Sequence, residues 1–161
     1  MIPFLNLQPN TSFNRWGIRE AVARVIESGR YVLGAEGEGF EREWAEYCGT
    51  RCCVAVGSGL DALKLILMGY GIGAGDEVIV PANTCMPTWL AVSSTGAVPV
   101  PVDVDSATFN IDPSCIAPAV TGKTRAIIAV HLYGLPADMS KINAVGVRHG
   151  LRVIEDAAQA H

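Results

Sequence analysis

The spacing of apolar residues changes once along this chain, near Cys52. Before that point Trp16, Ile18, Val22, Val25 and Ile26 recur at near-helical spacing behind the Asn10-Thr11-Ser12 cluster, and Gly29 stands where a C-terminal cap belongs. A second helical face follows in Phe40, Trp44, Tyr47 and Cys48, with Gly49 after it and the glycine-punctuated RYVLGAEGEG before it. From Cys52 onward, short β-rich apolar runs alternate with helical stretches. The runs CCVAV, EVIVP, VPVPVDV, RAIIAVHLYG and LRVIED predict five strands. Helices between them are marked by Leu60/Leu63/Leu67, by the stretch after Pro87, by Asp112-Pro113 as cap and first position, and by Ile142/Val145 before Gly150. Each gap exceeds the dozen or so residues that a parallel crossover needs. The strands are therefore expected to run parallel, with right-handed crossovers and both sheet faces covered. The expected fold class is α/β, with an open, mostly parallel sheet and covering helices.

Length and composition narrow the function classes. A chain of 161 residues suits one domain, or part of one. Half of it is hydrophobic and 17% is charged, which argues against disorder. The net charge of −4 and the scattering of the 12 Lys and Arg argue against a nucleic-acid partner, which would need a concentrated basic face. The opening MIPFLNLQPN lacks a basic region and a sustained apolar region, and no apolar run approaches the roughly 18 residues of a membrane span. A cytoplasmic protein is expected. Cys48, Cys52, Cys53, Cys85 and Cys115 make no C-x-x-C pair and no zinc spacing, and their odd count argues against a disulfide framework. The chain stops at His161, five residues after Asp156, before any helix could cover the return face of the last strand. A fragment is expected.

In open parallel sheets, ligands bind outside the carboxyl ends of the strands. Those ends carry Gly57-Ser58-Gly59, Asn83-Thr84-Cys85, Asp103, His131-Leu132-Tyr133 and Asp156. Gly57-Ser58-Gly59 opens a helix, where free backbone N–H groups and the helix dipole favour a phosphate. Gly57-x-Gly59-x-x-Ala62 also satisfies the dinucleotide fingerprint, which would suit an NAD(P)-dependent oxidoreductase. That reading needs an acid at the carboxyl end of the second strand. Asp76 and Glu77 open EVIVP at its amino end, whereas the carboxyl end reads Pro81-Ala82-Asn83. Asp156 closes an apolar strand and needs a cationic or hydrogen-bonding partner. A pyridinium nitrogen is one such partner, because pyridoxal phosphate relies on an acid to keep its ring protonated. Glu155 should point to the opposite sheet face. A lone histidine such as His131 is more often a structural group than a catalyst.

With these residues in hand, the chain resembles the DegT/DnrJ/StrS family of pyridoxal-phosphate-dependent sugar aminotransferases. The resemblance rests on SGRYVLGAEGEGFEREWAEYCG, GSGLDALKL, GAGDEVIVPANT, TWLAVSSTGAVPVPVDVD, VHLYGLPADM and VIEDAAQAH, in the family's order and spacing. It runs from IPFLNLQP to the last residue. SGLDAL and TWLAVS are similar to the branch that aminates the 3-keto position of a dTDP-linked 6-deoxyhexose. The resemblance implies a fold-type-I large domain, incomplete at its carboxyl end, with residues 1–33 as an amino-terminal arm and helix and 34–161 as the amino-terminal part of the cofactor-binding domain.

The resemblance also implies pyridoxal 5'-phosphate as cofactor. Ser58, Gly59 and Leu60 match the turn that receives its phosphate, Asp156 the acid paired with the pyridine nitrogen, and Gln159 the amide near the phenolic oxygen. Cys85 stands where the family usually places an aromatic ring against the pyridine face, and a thiol cannot stack as a ring does. Leu60 stands where many members have a hydroxyl residue. The family's Schiff-base lysine lies downstream of His161, and Lys64, Lys123 and Lys141 do not match it. This chain alone is therefore expected to be inactive. For the full-length protein the resemblance implies amino transfer from an amino acid, with glutamate the expected donor, to a keto sugar nucleotide, and a homodimer. A relative without the lysine, acting as a binding or regulatory protein, is the non-enzymatic alternative.

Overall fold

The long amino-terminal helices end where glycine can take up a left-handed backbone. The computed structural model describes Pro3 and residues 6–161, so the opening IPFLNLQP block lies partly outside the described residues. Helix α1 spans Gln8–Phe13, α2 Arg15–Ser28 and α3 Ala35–Tyr47. Gly29 caps α2 at φ 65°, and Gly49 follows α3 at φ 65°, conformations that cost glycine little. Only Ala45 of these helices is buried. On α2, Trp16 is 71% exposed and Val22 53%. Phe40 stacks on Trp44 at 5.7 Å along α3. Contacts divide the chain into two compact units, residues 1–55 and 56–161, and the core lies in the second.

The second unit runs α4 (Gly59–Gly69), β1 (Glu77–Pro81), α5 (Met86–Ser94), β2 (Val98–Val102), α6 (Pro113–Ala119), β3 (Thr124–Val130), α7 (Met139–His149) and β4 (Arg152–Asp156). The sheet order is β2-β1-β3-β4, and every pair is parallel, as the crossover lengths require. Successive residues point to opposite faces. In β3, Ala126, Ile128 and Val130 face a core with Leu63 and Leu67 of α4 and Val92 of α5. Ile127 and Ala129 face a second core with Ile116 of α6 and Ile142 of α7. Each fully buried aliphatic side chain contributes about 2 kcal/mol of transfer free energy. Burial on both faces explains why these strands read as continuous apolar runs.

Three expectations need correction. Cys52–Val56 joins no ladder among the described residues: Val54 is 74% exposed, and the Ala55 N–H donates to Glu41 Oε1 at 2.8 Å. The sheet therefore shows four strands, because an apolar β-rich run becomes a strand only where a partner edge exists. The VPVPVDV run ends as a strand at Val102, and Val104 makes only an isolated antiparallel bridge to Ile111. The RAIIAVHLYG run leaves the sheet after Val130 and tightens into a 3₁₀ turn at Leu132–Gly134.

Two aspartates start the helices on the second face. Asp112 accepts from the Ser114 hydroxyl at 2.7 Å and the Ser114 N–H at 2.8 Å. Asp138 pairs with the Lys141 ammonium at 2.8 Å and accepts the Lys141 N–H at 3.1 Å. These contacts hold Asp112, through Ser114, and Asp138, through Lys141, below the usual carboxylate range. A depressed folded-state value means that the stabilisation is present at neutral pH and is lost as pH falls through the folded value. The Asp112→Asn/Asp138→Asn variant keeps two good caps but loses the titration. Its urea midpoint should fall less than that of the parent between about pH 5 and pH 2. Parallel pH curves would contradict this.

Candidate active site

The chain runs from β1 outward to β2 and then crosses back to β3 on the other side of β1. Such a reversal, outside the carboxyl ends of β1 and β3, is where open α/β sheets take ligands. Helix α4 points its amino terminus towards this edge. Tyr70, at the end of α4, lies under the Arg152 guanidinium at 5.0 Å, and Arg152 begins β4 at the opposite edge. Eleven residues of helix span about 16 Å, enough to carry Ser58 across the sheet.

Ser58 is the N-cap of α4. Its Oγ accepts the Asp61 N–H at 3.1 Å and donates to Asp61 Oδ2 at 2.8 Å. The N–H groups of Gly59 and Leu60, the first two helical positions, have no acceptor among the described residues. They are the orphan donors of a helix start, aimed along the dipole. Gly57 leaves room for this turn, since a Cβ there would lie 3.1 Å from Asp61 Oδ2. The turn thus has backbone groups as its free donors, and the serine hydroxyl is engaged by Asp61.

Asp156 ends β4 on the same sheet face as Ile154, which packs into the core that α4 and α5 cover. It is half-buried. Its Oδ1 accepts the Ala158 N–H at 3.2 Å, and its Oδ2 receives a long 3.4 Å contact from the Thr88 hydroxyl. Thr88 is 1% exposed and lies 2.9 Å from the Thr84 hydroxyl. With Thr88 donating to the carboxylate, its own oxygen is left to accept from Thr84. Among the described residues no cationic side chain pairs with Asp156. A half-buried acid with weak donors and no cation fits a protonated ring nitrogen as its missing partner. Gln159 is exposed, and its Oε1 accepts the Tyr133 N–H at 2.7 Å. Cys85 is an exposed free thiol at the start of α5 and makes no capping bond.

Other candidates fall away. His131 is buried: its Nδ1 accepts the Ala137 N–H at 3.1 Å, so the proton lies on Nε2, which donates to Glu155 Oε2 at 3.0 Å. The ring ties together chain segments and faces away from Asp156, as does Glu155. Asp76 pairs with Arg125 at 3.1 Å at the amino edge of the sheet, the wrong edge for the acid that binds a dinucleotide ribose. Lys141 is held by Asp138. The sequence did not single out Thr88. Its only local signal is the Thr84/Thr88 spacing of four residues, and its partner Asp156 lies 68 residues away.

A model of the DegT/DnrJ/EryC1/StrS aminotransferase family matches residues 15–161. The chain belongs to this aminotransferase family. It is 53% identical over 160 residues to the dTDP-3-amino-3,4,6-trideoxy-alpha-D-glucose transaminase of Streptomyces venezuelae, covering 99% of this chain and 42% of that enzyme. The crystal structure of S. venezuelae DesV in complex with a ketimine intermediate is similar at a TM-score of 0.97 and 53% identity, over 99% of this chain and 43% of that one. NtdA from Bacillus subtilis, with bound cofactor PMP, is similar at a TM-score of 0.94 and 39% identity, over 99% of this chain and 37% of that one. The chain therefore spans less than half the length of these relatives.

No helix among the described residues is long and apolar enough to cross a membrane. In this member of the family, Ser58 is first of all a helix cap. Ser58→Ala should destabilise it by about 1 kcal/mol in urea unfolding, as the loss of a capping oxygen does. An unchanged midpoint would show that the Ser58 bond to Asp61 contributes nothing.

Proposed function

We propose that this chain supplies the cofactor-holding half of a pyridoxal-phosphate-dependent sugar aminotransferase. The observation that carries the reading is a pair of open groups in one unit of the fold: the N–H groups of Gly59 and Leu60, with no acceptor among the described residues, and the carboxylate of Asp156, with no cationic partner among them. The backbone of Ser58-Gly59-Leu60 would anchor the phosphate, its dianionic charge complementing the start of α4. Asp156 would stabilise a proton on the ring nitrogen, and Gln159 would address the phenolic oxygen. Cys85 would lie by the ring face as a small polarisable group. When bound, pyridoxal phosphate supplies an electron sink for charge developing beside the transferred amino group. This chain's residues supply position and electrostatics for it.

For the full-length protein the reading is amino transfer from glutamate to the 3-keto position of a dTDP-linked 6-deoxyhexose, in the cytoplasm, with a lysine downstream of His161 holding the cofactor covalently. The S. venezuelae relative, with its dTDP-3-amino sugar, supports the substrate class. The uncovered apolar face of α2 supports homodimerisation, since such faces mark association surfaces. The test is an assay of the full-length protein with glutamate and a dTDP-3-keto-6-deoxyhexose, reading 2-oxoglutarate and the amino sugar. Turnover is expected, with Asp156→Ala lowering kcat/KM by about a hundredfold or more. Cofactor binding without product would favour the non-catalytic reading, and an undiminished Asp156→Ala enzyme would overturn the role given to that carboxylate.

A further inference from the structure

Gln159 is held by a turn whose backbone is unusual for its sequence. Tyr133 has φ 57° and Gly134 φ 86°, and two successive left-handed residues cost free energy when one is a tyrosine. This geometry directs the Tyr133 N–H onto Gln159 Oε1 at 2.7 Å. A backbone N–H can only donate, so the bond fixes which end of the amide is which. The oxygen is occupied, and both Nε2 hydrogens are left to donate. Gly134 also approaches closely: a Cβ there would lie 3.1 Å from the main-chain carbonyl oxygen of Gln159.

What holds the turn is a residue in the connection between β2 and α6. Asn110 is 2% exposed. Its Oδ1 accepts the Leu132 N–H at 3.0 Å, and its Nδ2 donates to the Leu135 carbonyl at 2.8 Å. One buried amide thus clasps both ends of the strained turn, with donor and acceptor both satisfied. Asn110 itself follows Phe109, at φ 59°. Its two bonds offset the strain at Tyr133, and a buried bond of this kind is costly to lose.

The geometry points to Asn110 as a positioning residue: through the Leu132–Leu135 turn it fixes the Gln159 amide with its NH₂ end presented, as a donor to the phenolic oxygen of a pyridoxal-type ligand. The inference rests on the cofactor reading above. Without the clasp the turn can relax, Tyr133 can leave the left-handed region, and Gln159 loses the partner that selects its orientation.

The test uses pyridoxamine 5'-phosphate, which has no aldehyde to react with stray lysines, and its 3-deoxy analogue, which lacks only the phenolic oxygen. Dissociation constants are measured by calorimetry for the parent protein, Asn110→Ala, Gln159→Ala and the double variant. Asn110→Ala should weaken pyridoxamine phosphate about tenfold and the 3-deoxy analogue less than about twofold. The double variant should be no weaker than Gln159→Ala, because both act through one contact. Gly134→Ala, which disturbs the same turn from the Gln159 side, should show the same discrimination and carries the test if Asn110→Ala does not fold. Equal weakening of both ligands, or additive effects of the two substitutions, would overturn the positioning role. If the parent protein binds neither ligand, the cofactor reading itself falls, a different result from the first.

Discussion

The crossing of the chain over β1 organises everything else in residues 56–161. Strand β1 bonds to β2 on one side and β3 on the other, and because all pairs are parallel, every strand delivers its carboxyl end to the same edge. Parallel pairing demands covering helices on both faces, and the helices in turn bring their amino termini to that edge. An acid at the end of β4, a helix start from α4 and the turn after β3 are therefore directed to one edge without any one of them being adjacent in sequence. The apolar strands make this geometry rigid: Val78, Ile79 and Val80 are all 0% exposed, so none of them can shift to accommodate a misplaced loop.

Around the edge, the polar groups divide into those already satisfied and those left open. Ser58, His131 and Asn110 spend their hydrogen-bonding capacity within the protein. Gly59 and Leu60 N–H, the Gln159 amide nitrogen and, in part, the Asp156 carboxylate do not. The first set fixes the backbone that aims the second, and only the second can meet a ligand. Open N–H groups at a helix start and a carboxylate without a cation have opposite preferences, which under the proposed reading would suit a ligand with a phosphate at one end and a protonated ring nitrogen at the other.

Local signals in the sequence were reliable where local physics decides the outcome. Gly29 and Gly150 end helices in left-handed conformations, and Asp112-Pro113 starts one. The parallel class followed from crossover lengths, and Asp156 at the carboxyl end of a strand followed from the parallel class; Ser58 and Gly59 follow no strand among the described residues and are placed by the start of α4 instead. Cys52–Val56 was misread because pairing is a non-local property that composition does not encode. The left-handed backbone of Tyr133 was also invisible, since nothing about tyrosine favours it; it persists because Asn110, 22 residues from Leu132, holds the turn. Residues whose roles depend on partners that far away, Asn110 and Thr88 among them, carry no signature in a single sequence.

The most direct measurement is an amide-resolved ¹H–¹⁵N titration of this chain with pyridoxamine 5'-phosphate. If the carboxyl edge is the cofactor cradle, the largest shifts fall on Gly59, Leu60, Ala158 and Gln159, and the amides of Gly71, Gly122 and Gly150, away from that edge, stay still. Shifts concentrated at the amino edge, or scattered with no response from Gly59 and Leu60, would contradict the cradle.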